Sequence, residues 1–513
     1  MKFLLQSVSV IALGIGIAGC QSDTPQVLLS RFVPSTFTAP TVPAAQVWPS
    51  ADWWQGFNSD ELNSLVAAAQ TDNLDLAAAA ARVVQAEQQA RIAGAPLFPT
   101  LDLEGTAQRS RNGSGAVLFN SLGVPIGTKP TTGNLFGATL SASYELDLWG
   151  KARSNLRAAD ELVNASQYAQ EVVALTTVSA VATTYLDVLA LRERIEIARQ
   201  NVEAAKRILN IVQAKVTNGV SSRLDLAQQQ AVLAGVEAAI PALEQQEREA
   251  RYALAILLGR TPEGFDVTTK NLNGIAVPAV APGLPSELMR RRPDVAEAEA
   301  NLASAHASVD AARAAFFPAI SLTGSGGVQS ASVGSLFQNS AFGWSIGASL
   351  LQTIFSGGLL EGQLGLSKAQ QEELIAIYRS TVLSAFSDVE TTLGQVSSLA
   401  ETERFEKERV DASAEAFRIS ELQYREGVTD LLNLLTSQQT LFTAEDELVQ
   451  IKLARIQADV SLFKALGGGW SEPAEAATQS IPPVVVPATA ASPQPTPAPA
   501  TTPTSAPPPA TPH

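Results

Sequence analysis

Cysteine is almost missing from this 513-residue chain. Cys20 is the only one, so no intramolecular disulfide can form. Histidine is nearly as scarce: His306 and His513 lie far apart, and neither has a neighbouring His or Cys at metal-ligand spacing. His306 falls in an Ala-rich helical run, where surface exposure or packing accounts for it. No Gly-rich loop ends in the Gly-Lys-Ser/Thr that cradles phosphates. Bases are outnumbered, with 35 Lys and Arg against 50 Asp and Glu, giving a net charge of −15. Phosphate backbones need a basic face, so nucleic acid is excluded as the main partner. Arg290-Arg291-Arg292 reads as a solvated helix start rather than a nucleic-acid patch. These absences point away from an enzyme, a metal and a cofactor.

Glycine and proline are absent in a more telling way. The chain has 34 Gly and 29 Pro, yet none falls between Lys151 and Thr217. The second half of that stretch spaces Val188, Leu191, Ile195, Ala198, Val202, Ala205, Leu209, Val212 and Val216 three and four apart, an a/d seam. Wholly helical, it would be roughly 100 Å long at about 1.5 Å per residue. Asn218-Gly219-Val220 supplies the turn that ends it, and Ser221 or Ser222 can cap a return helix to about Leu258.

At the N-terminus, Lys2 precedes an apolar run that ends in Ile17-Ala18-Gly19-Cys20. A positive start, a short apolar core and small residues before the lone Cys resemble a bacterial lipoprotein signal, with Cys20 the lipid attachment site. Gln21 is not the Asp that holds such proteins at the inner membrane. The alternative is an ordinary cleaved signal with an incidental Cys. Residues 20–50 read as an extended tether. Asp60 to Ala93 reads as one helix capped by Asp60.

Two strand regions follow. Leu101, Leu103, Gly105 and Ala107 alternate with polar residues. After a loop from about Ser110 to Gly133, Phe136 to Leu148 alternate again. This fits a half-buried soluble hairpin, or two strands of an outer-membrane barrel with apolar residues toward lipid. Gly324-Ser325-Gly326-Gly327 fits packing in such a strand.

The second half repeats the first. Leu97-Phe98-Pro99 recurs as Phe316-Phe317-Pro318, and Gly219-Val220 as Gly427-Val428. A second alternating strand runs through Phe342, Trp344, Ile346, Ala348 and Leu350. The spacings Gly150 to Gly219 and Gly357 to Gly427 differ by one position. The predicted division is 1–19 signal peptide, 20–50 lipidated tether, 51–260 first repeat, 261–287 linker, 288–468 second repeat and 469–513 a disordered Pro/Ala/Thr-rich tail. Each repeat is helix, strand, strand, long helix, return helix, an α+β membrane protein by class.

Trp53-Trp54-Gln55-Gly56-Phe57, Arg290-Arg291-Arg292-Pro293-Asp294, Ala314 to Thr323 and Leu466-Gly467-Gly468-Gly469-Trp470 stand in a specific order. Over residues 50–470 the chain resembles the TolC-like outer membrane efflux factor family, in its lipoprotein branch serving resistance-nodulation-division (RND) pumps. The resemblance implies a homotrimer whose twelve-stranded barrel crosses the outer membrane, continued by a helical barrel in the periplasm. It implies a passive duct for drugs or other small molecules, fed by an inner-membrane pump through a periplasmic adaptor. A duct for type I protein secretion, in the same fold, and a coiled-coil envelope protein are the alternatives.

The resemblance places adaptor docking at Gly219, Val220, Gly427 and Val428, and an apolar constriction at Leu432. The family's carboxylate-ring positions fall on Asn433 and Thr436, which are not acids. Asp225 matches a tip acid, and Asp430 lies close by. Either acid can belong to a gate or merely cap a return helix.

Overall fold

The structure is a computed structural model and describes residues 37–39, 49–112, 117–119, 125–127, 131–276, 278 and 285–470. The signal segment, Cys20, most of the tether and nearly all of the tail lie outside the described residues.

After a 3-10 turn at Trp53–Phe57, helices α1 (Asp60–Asp72) and α2 (Leu74–Gly94) lead into strand β1 (Thr100–Asn112). Short strands β2 (Val117–Phe119) and β3 (Pro125–Gly127) precede β4 (Thr131–Leu146). The long helix α3 (Lys151–Thr217) and return helix α4 (Arg223–Leu257) complete the first repeat. The second runs through α5 (Pro285–Leu288), α6 (Pro293–Ala314), β5 (Ala319–Ser330), β6 (Phe342–Leu351), α7 (Leu359–Glu426) and α8 (Leu431–Ala465).

The predicted helix from Asp60 to Ala93 is two helices broken at Asn73. Asn73 is extended, its carbonyl side chain accepts from the Leu76 N–H at 2.9 Å, and its amide donates to the Leu257 carbonyl at 2.8 Å. A side chain that caps a new helix and ties it to a distant one overrides the Ala-rich propensity around it. The cap of α1 is Ser59, whose hydroxyl accepts from the Leu62 N–H at 3.2 Å; Asp60 is the first helical residue.

The sheet is antiparallel in the order β1-β4-β5-β6. Its register lines Leu103, Leu140, Gly326 and Trp344 across one face, and Glu104, Thr139, Gly327 and Gly343 across the other. The apolar face is uncovered: Leu103 is 76 %, Trp344 71 % and Ile346 82 % exposed. β1 and β6 are edges with no strand beyond them among the described residues. The segment read as a loop from Ser110 to Gly133 is shorter than expected. β1 and β4 stay paired up to Asn112↔Thr131, and β2 and β3 form a small hairpin between them. The backbone ladder thus continues beyond the point where the apolar alternation ends, because strand pairing needs only backbone N–H and C=O groups.

The two long helices have 67 and 68 residues. Gly150 and Gly358, both at positive φ, turn the chain from strand end into helix. The Asp147 carboxylate caps α3 by accepting the Ala152 and Arg153 N–H groups, each at 3.0 Å. Val188, Ile195, Val202, Ala205 and Val212 of the predicted seam are buried. The most apolar window of α3 has a mean hydropathy of 1.6 and is half buried within the chain itself, so its apolarity is used in helix packing.

Two cores result. One surrounds the middle of α3, where Trp53 stacks on Phe463 at 5.0 Å and joins Phe57, Leu62, Tyr185, Leu186 and Val460. The other lies near the tips and holds Ile208, Val212, Phe417, Tyr424, Leu434 and Phe442. At the first core, Arg292 corrects the expectation of a solvated Arg triplet. Arg292 is 9 % exposed, pairs with Asp294 at 2.6 Å and Asp388 at 3.1 Å, and donates to the Ala465 carbonyl. Buried guanidinium needs such partners, and three acceptors drawn from separate elements make Arg292 a tie between them. Gly467 has φ +88, and a Cβ there would fall 1.8 Å from the Arg291 carbonyl oxygen, so only glycine fits.

Candidate functional site at the helix tips

The sheet and the two tips stand at opposite ends of α3 and α7. Each tip closes its long helix with a Schellman motif. Val220 N–H donates to the Lys215 carbonyl at 2.8 Å and Gly219 N–H to that of Val216 at 3.0 Å. In the second tip, Val428 N–H donates to the Gln423 carbonyl at 2.8 Å and Gly427 N–H to that of Tyr424 at 3.1 Å. Gly219 and Gly427 take φ +72 and +78, as the motif requires.

The return helices begin at matching offsets. Ser222, three after Gly219, caps α4, and Asp430, three after Gly427, caps α8. Asp225 completes a reciprocal capping box. Its N–H donates to the Ser222 hydroxyl at 3.1 Å, and its carboxylate accepts the Ser222 N–H at 2.9 Å and the Ser221 hydroxyl. Those bonds, that from Ser221 foremost, hold the Asp225 carboxyl below its usual pKa. Asp430 accepts the Asn433 N–H at 3.1 Å. Asn433 therefore occupies the same helical position as Asp225. Its amide bonds Thr429, and Thr436 returns its hydroxyl to the Leu432 carbonyl.

Among the exposed tip residues, four apolar ones are paired by the same pseudosymmetry. Val220 is 72 % exposed and Val428 75 %; Leu224 is 66 % exposed and Leu432 64 %. Four large aliphatic side chains thus stand in water at the end of the molecule, while Leu431 and Leu434 beside them are buried. Leu224 went unnoticed in the sequence, although its offset of five from Gly219 equals that of Leu432 from Gly427. Lys215 also went unnoticed: it crosses to the other tip, donating to the Tyr424 carbonyl at 2.5 Å with its ammonium 4.6 Å from the Tyr424 ring centroid. Nothing in the spacing marks a contact between residues 209 positions apart.

A model of the outer membrane efflux protein family matches residues 65–260 and 284–468. The chain belongs to this family. The pyoverdine export outer membrane protein OpmQ of Pseudomonas aeruginosa is 39 % identical over 470 residues, covering 91 % of this chain and 97 % of that protein. The antibiotic efflux pump outer membrane protein ArpC of Pseudomonas putida is 30 % identical, covering 86 % of this chain and 93 % of its own length. The solved outer-membrane channel OprN superposes with a TM-score of 0.78 at 28 % identity, over 85 % of this chain and 98 % of that one.

As a member of the outer membrane efflux protein family, the chain is an outer-membrane channel protein with the TolC-like fold rather than a member of an enzyme family. Its helices extend from the sheet into the periplasm, as in those channels. In that orientation the sheet end with β1 and β6 lies in the outer membrane, and Gly219 and Gly427 mark the periplasmic end.

Proposed function

We propose that three copies of this chain form the exit duct of a tripartite efflux system. Each copy contributes four strands to a twelve-stranded barrel and its long helices to a periplasmic tunnel. The observation that carries this reading is the open sheet. Its apolar face is bare, and both edges, β1 and β6, are unpaired among the described residues. Bilayer hydrocarbon cannot satisfy an open strand edge, so the edges must meet copies of each other.

The duct passes small molecules from an RND-type inner-membrane pump, and the relatives' printed cargoes, pyoverdine and antibiotics, are the first to test. Cys20 carries the lipid that anchors the tether. A periplasmic adaptor docks on Val220 and Val428 at the Gly219 and Gly427 turns. Leu432, joined by Leu224, forms an apolar constriction; Asp225 and Asp430 serve it by fixing the helix starts, and Asn433 and Thr436 line its rim. Deleting the gene should raise intracellular accumulation of a fluorescent efflux substrate and lower siderophore or drug export, restored by the intact chain. Normal small-molecule export with loss of a secreted protein would contradict the assignment.

A further inference from the structure

Charge is sorted by face and by height in the sheet. On the polar face of the strands the ionisable residues are Asp102, Glu104 and Glu145. On the apolar face of β1, Leu101, Leu103, Gly105 and Ala107 are followed by Arg109 and Arg111. Both arginines are exposed. Directly across on β4, on the same face, stand Asn134 opposite Arg109 and Thr132 opposite Arg111. Side chains so paired lie about 5 Å apart at Cβ, and successive same-face residues are about 6.8 Å apart. Four donor-bearing side chains are therefore gathered in one patch.

The patch has no carboxylate to neutralise it. Residues 105–144 contain Arg109, Arg111 and Lys129 and no Asp or Glu, and residues 319–360 contain no charged residue at all. In a chain of net charge −15, this end is purely basic. Its height is equally specific. At about 3.4 Å per residue and a strand tilt near 40°, Arg109 lies roughly 21 Å and Arg111 roughly 26 Å above Leu101. The lipid-facing apolar band of such a barrel is about 25 Å tall. The arginines thus emerge where hydrocarbon gives way to headgroups, at the end away from the periplasmic helices. Charge on the lipid face is costly at the midplane and tolerated at the interface, so this is where cations can persist.

We propose that Arg109 and Arg111, assisted by Asn134 and Thr132, form a binding site for the phosphate groups of outer-leaflet lipid. Guanidinium offers a planar fork that takes phosphate oxygens in bidentate fashion, and the neutral amide and hydroxyl supply further donors without a competing acid. The proposal rests on the reading of the sheet as part of a membrane barrel, with its apolar face toward lipid.

The test uses the full-length protein in phosphatidylcholine nanodiscs doped with bisphosphorylated lipid A or with the same lipid dephosphorylated. Native mass spectrometry reads the lipid retained per chain. Wild type should retain the phosphorylated form at least about tenfold better, and Arg109→Gln/Arg111→Gln should abolish that preference. Arg109→Lys/Arg111→Lys, which keeps the charge and loses the fork, should retain an intermediate amount and serves if the glutamine variant does not fold. Arg404→Gln, on the periplasmic helix α7, should change nothing. Equal retention of the two lipids overturns the proposal, as does displacement by millimolar inorganic phosphate, which would mark a free-phosphate site. Brominated phosphatidylcholine separates this from the barrel reading itself. Quenching of tryptophan fluorescence that disappears in Trp344→Phe shows the apolar face in lipid; without such quenching, the barrel reading fails and the lipid site with it.

Discussion

Lys215, near the end of the first long helix, donates to the backbone carbonyl of Tyr424 near the end of the second, and its ammonium lies over the Tyr424 ring. The Tyr424 side chain is 4 % exposed and belongs to the tip core with Ile208, Val212 and Leu434. One side chain therefore couples the two tips of a protomer, and separating them means removing an ammonium from both a carbonyl and an aromatic face.

Lys215→Met keeps the stem and removes the coupling. A charge-assisted hydrogen bond with a cation–π contact accounts for roughly 1–3 kcal/mol. Hydrogen exchange of the amides in 208–217 and 417–431 should rise, and the closed channel should open more often in planar bilayers. Unchanged exchange in both segments would show that the tips are held by their apolar core alone.

The tip acids permit a sharper separation of roles. At the Asp430 cap asparagine serves about as well as aspartate but carries no charge, whereas alanine removes the cap at a cost of about 1 kcal/mol. At Asp225, which answers the Ser222 cap, asparagine keeps an acceptor for the Ser222 N–H and alanine does not. Asp225→Asn with Asp430→Asn should therefore leave conductance and ion selectivity near wild type. The alanine pair should loosen the first turns of α4 and α8. A large selectivity change in the asparagine pair would restore an acidic gate.

Leu432→Ser and Leu224→Ser should each widen the closed tip, with the double variant exceeding either, because the two leucines hold pseudoequivalent positions. Neither substitution should cost much stability, since both side chains are mostly in water. Single-channel conductance identical to wild type in the double variant would place the constriction elsewhere.

The long helices, the repeat, the tip turns and the alternating strands were legible because each rests on a local signal: no Gly or Pro, a heptad seam, Gly at a left-handed turn, period-two polarity. What stayed hidden was tertiary. The break at Asn73 needs the Leu257 carbonyl, and Arg292 is buried because Asp388 and the Ala465 carbonyl come to meet it. The tip acids are a mixed case. Ser222 and Asp225 have capping-box spacing in the sequence, yet only the geometry shows both reciprocal bonds made.

Asp459 gives the helical region a pH dependence. Its side chain on α8 is 3 % exposed, and Oδ2 has no hydrogen-bond partner among the described residues. Burial pushes the carboxyl up from 3.8 to about 7, against the opposing pull of Arg455. The folded state then holds this proton more tightly than the unfolded chain does. Stability falls as pH rises from about 4 to about 7 and stays reduced above that. Asp459→Asn should remove this part of the decline, gaining at most about 4 kcal/mol above pH 7 and little near pH 4, at about 1.36 kcal/mol per pH unit. Thermal unfolding of both proteins across pH 4–8 measures it, and parallel curves would contradict it.

The central claim is that an open sheet in one chain becomes a closed barrel in the assembly. Single-particle imaging of the full-length protein in lipid nanodiscs tests it directly. The account predicts three copies, a twelve-stranded barrel within the bilayer, and β1 of each protomer hydrogen-bonded to β6 of the next. A different copy number, or a sheet whose β1 and β6 edges remain unpaired in lipid, would contradict it.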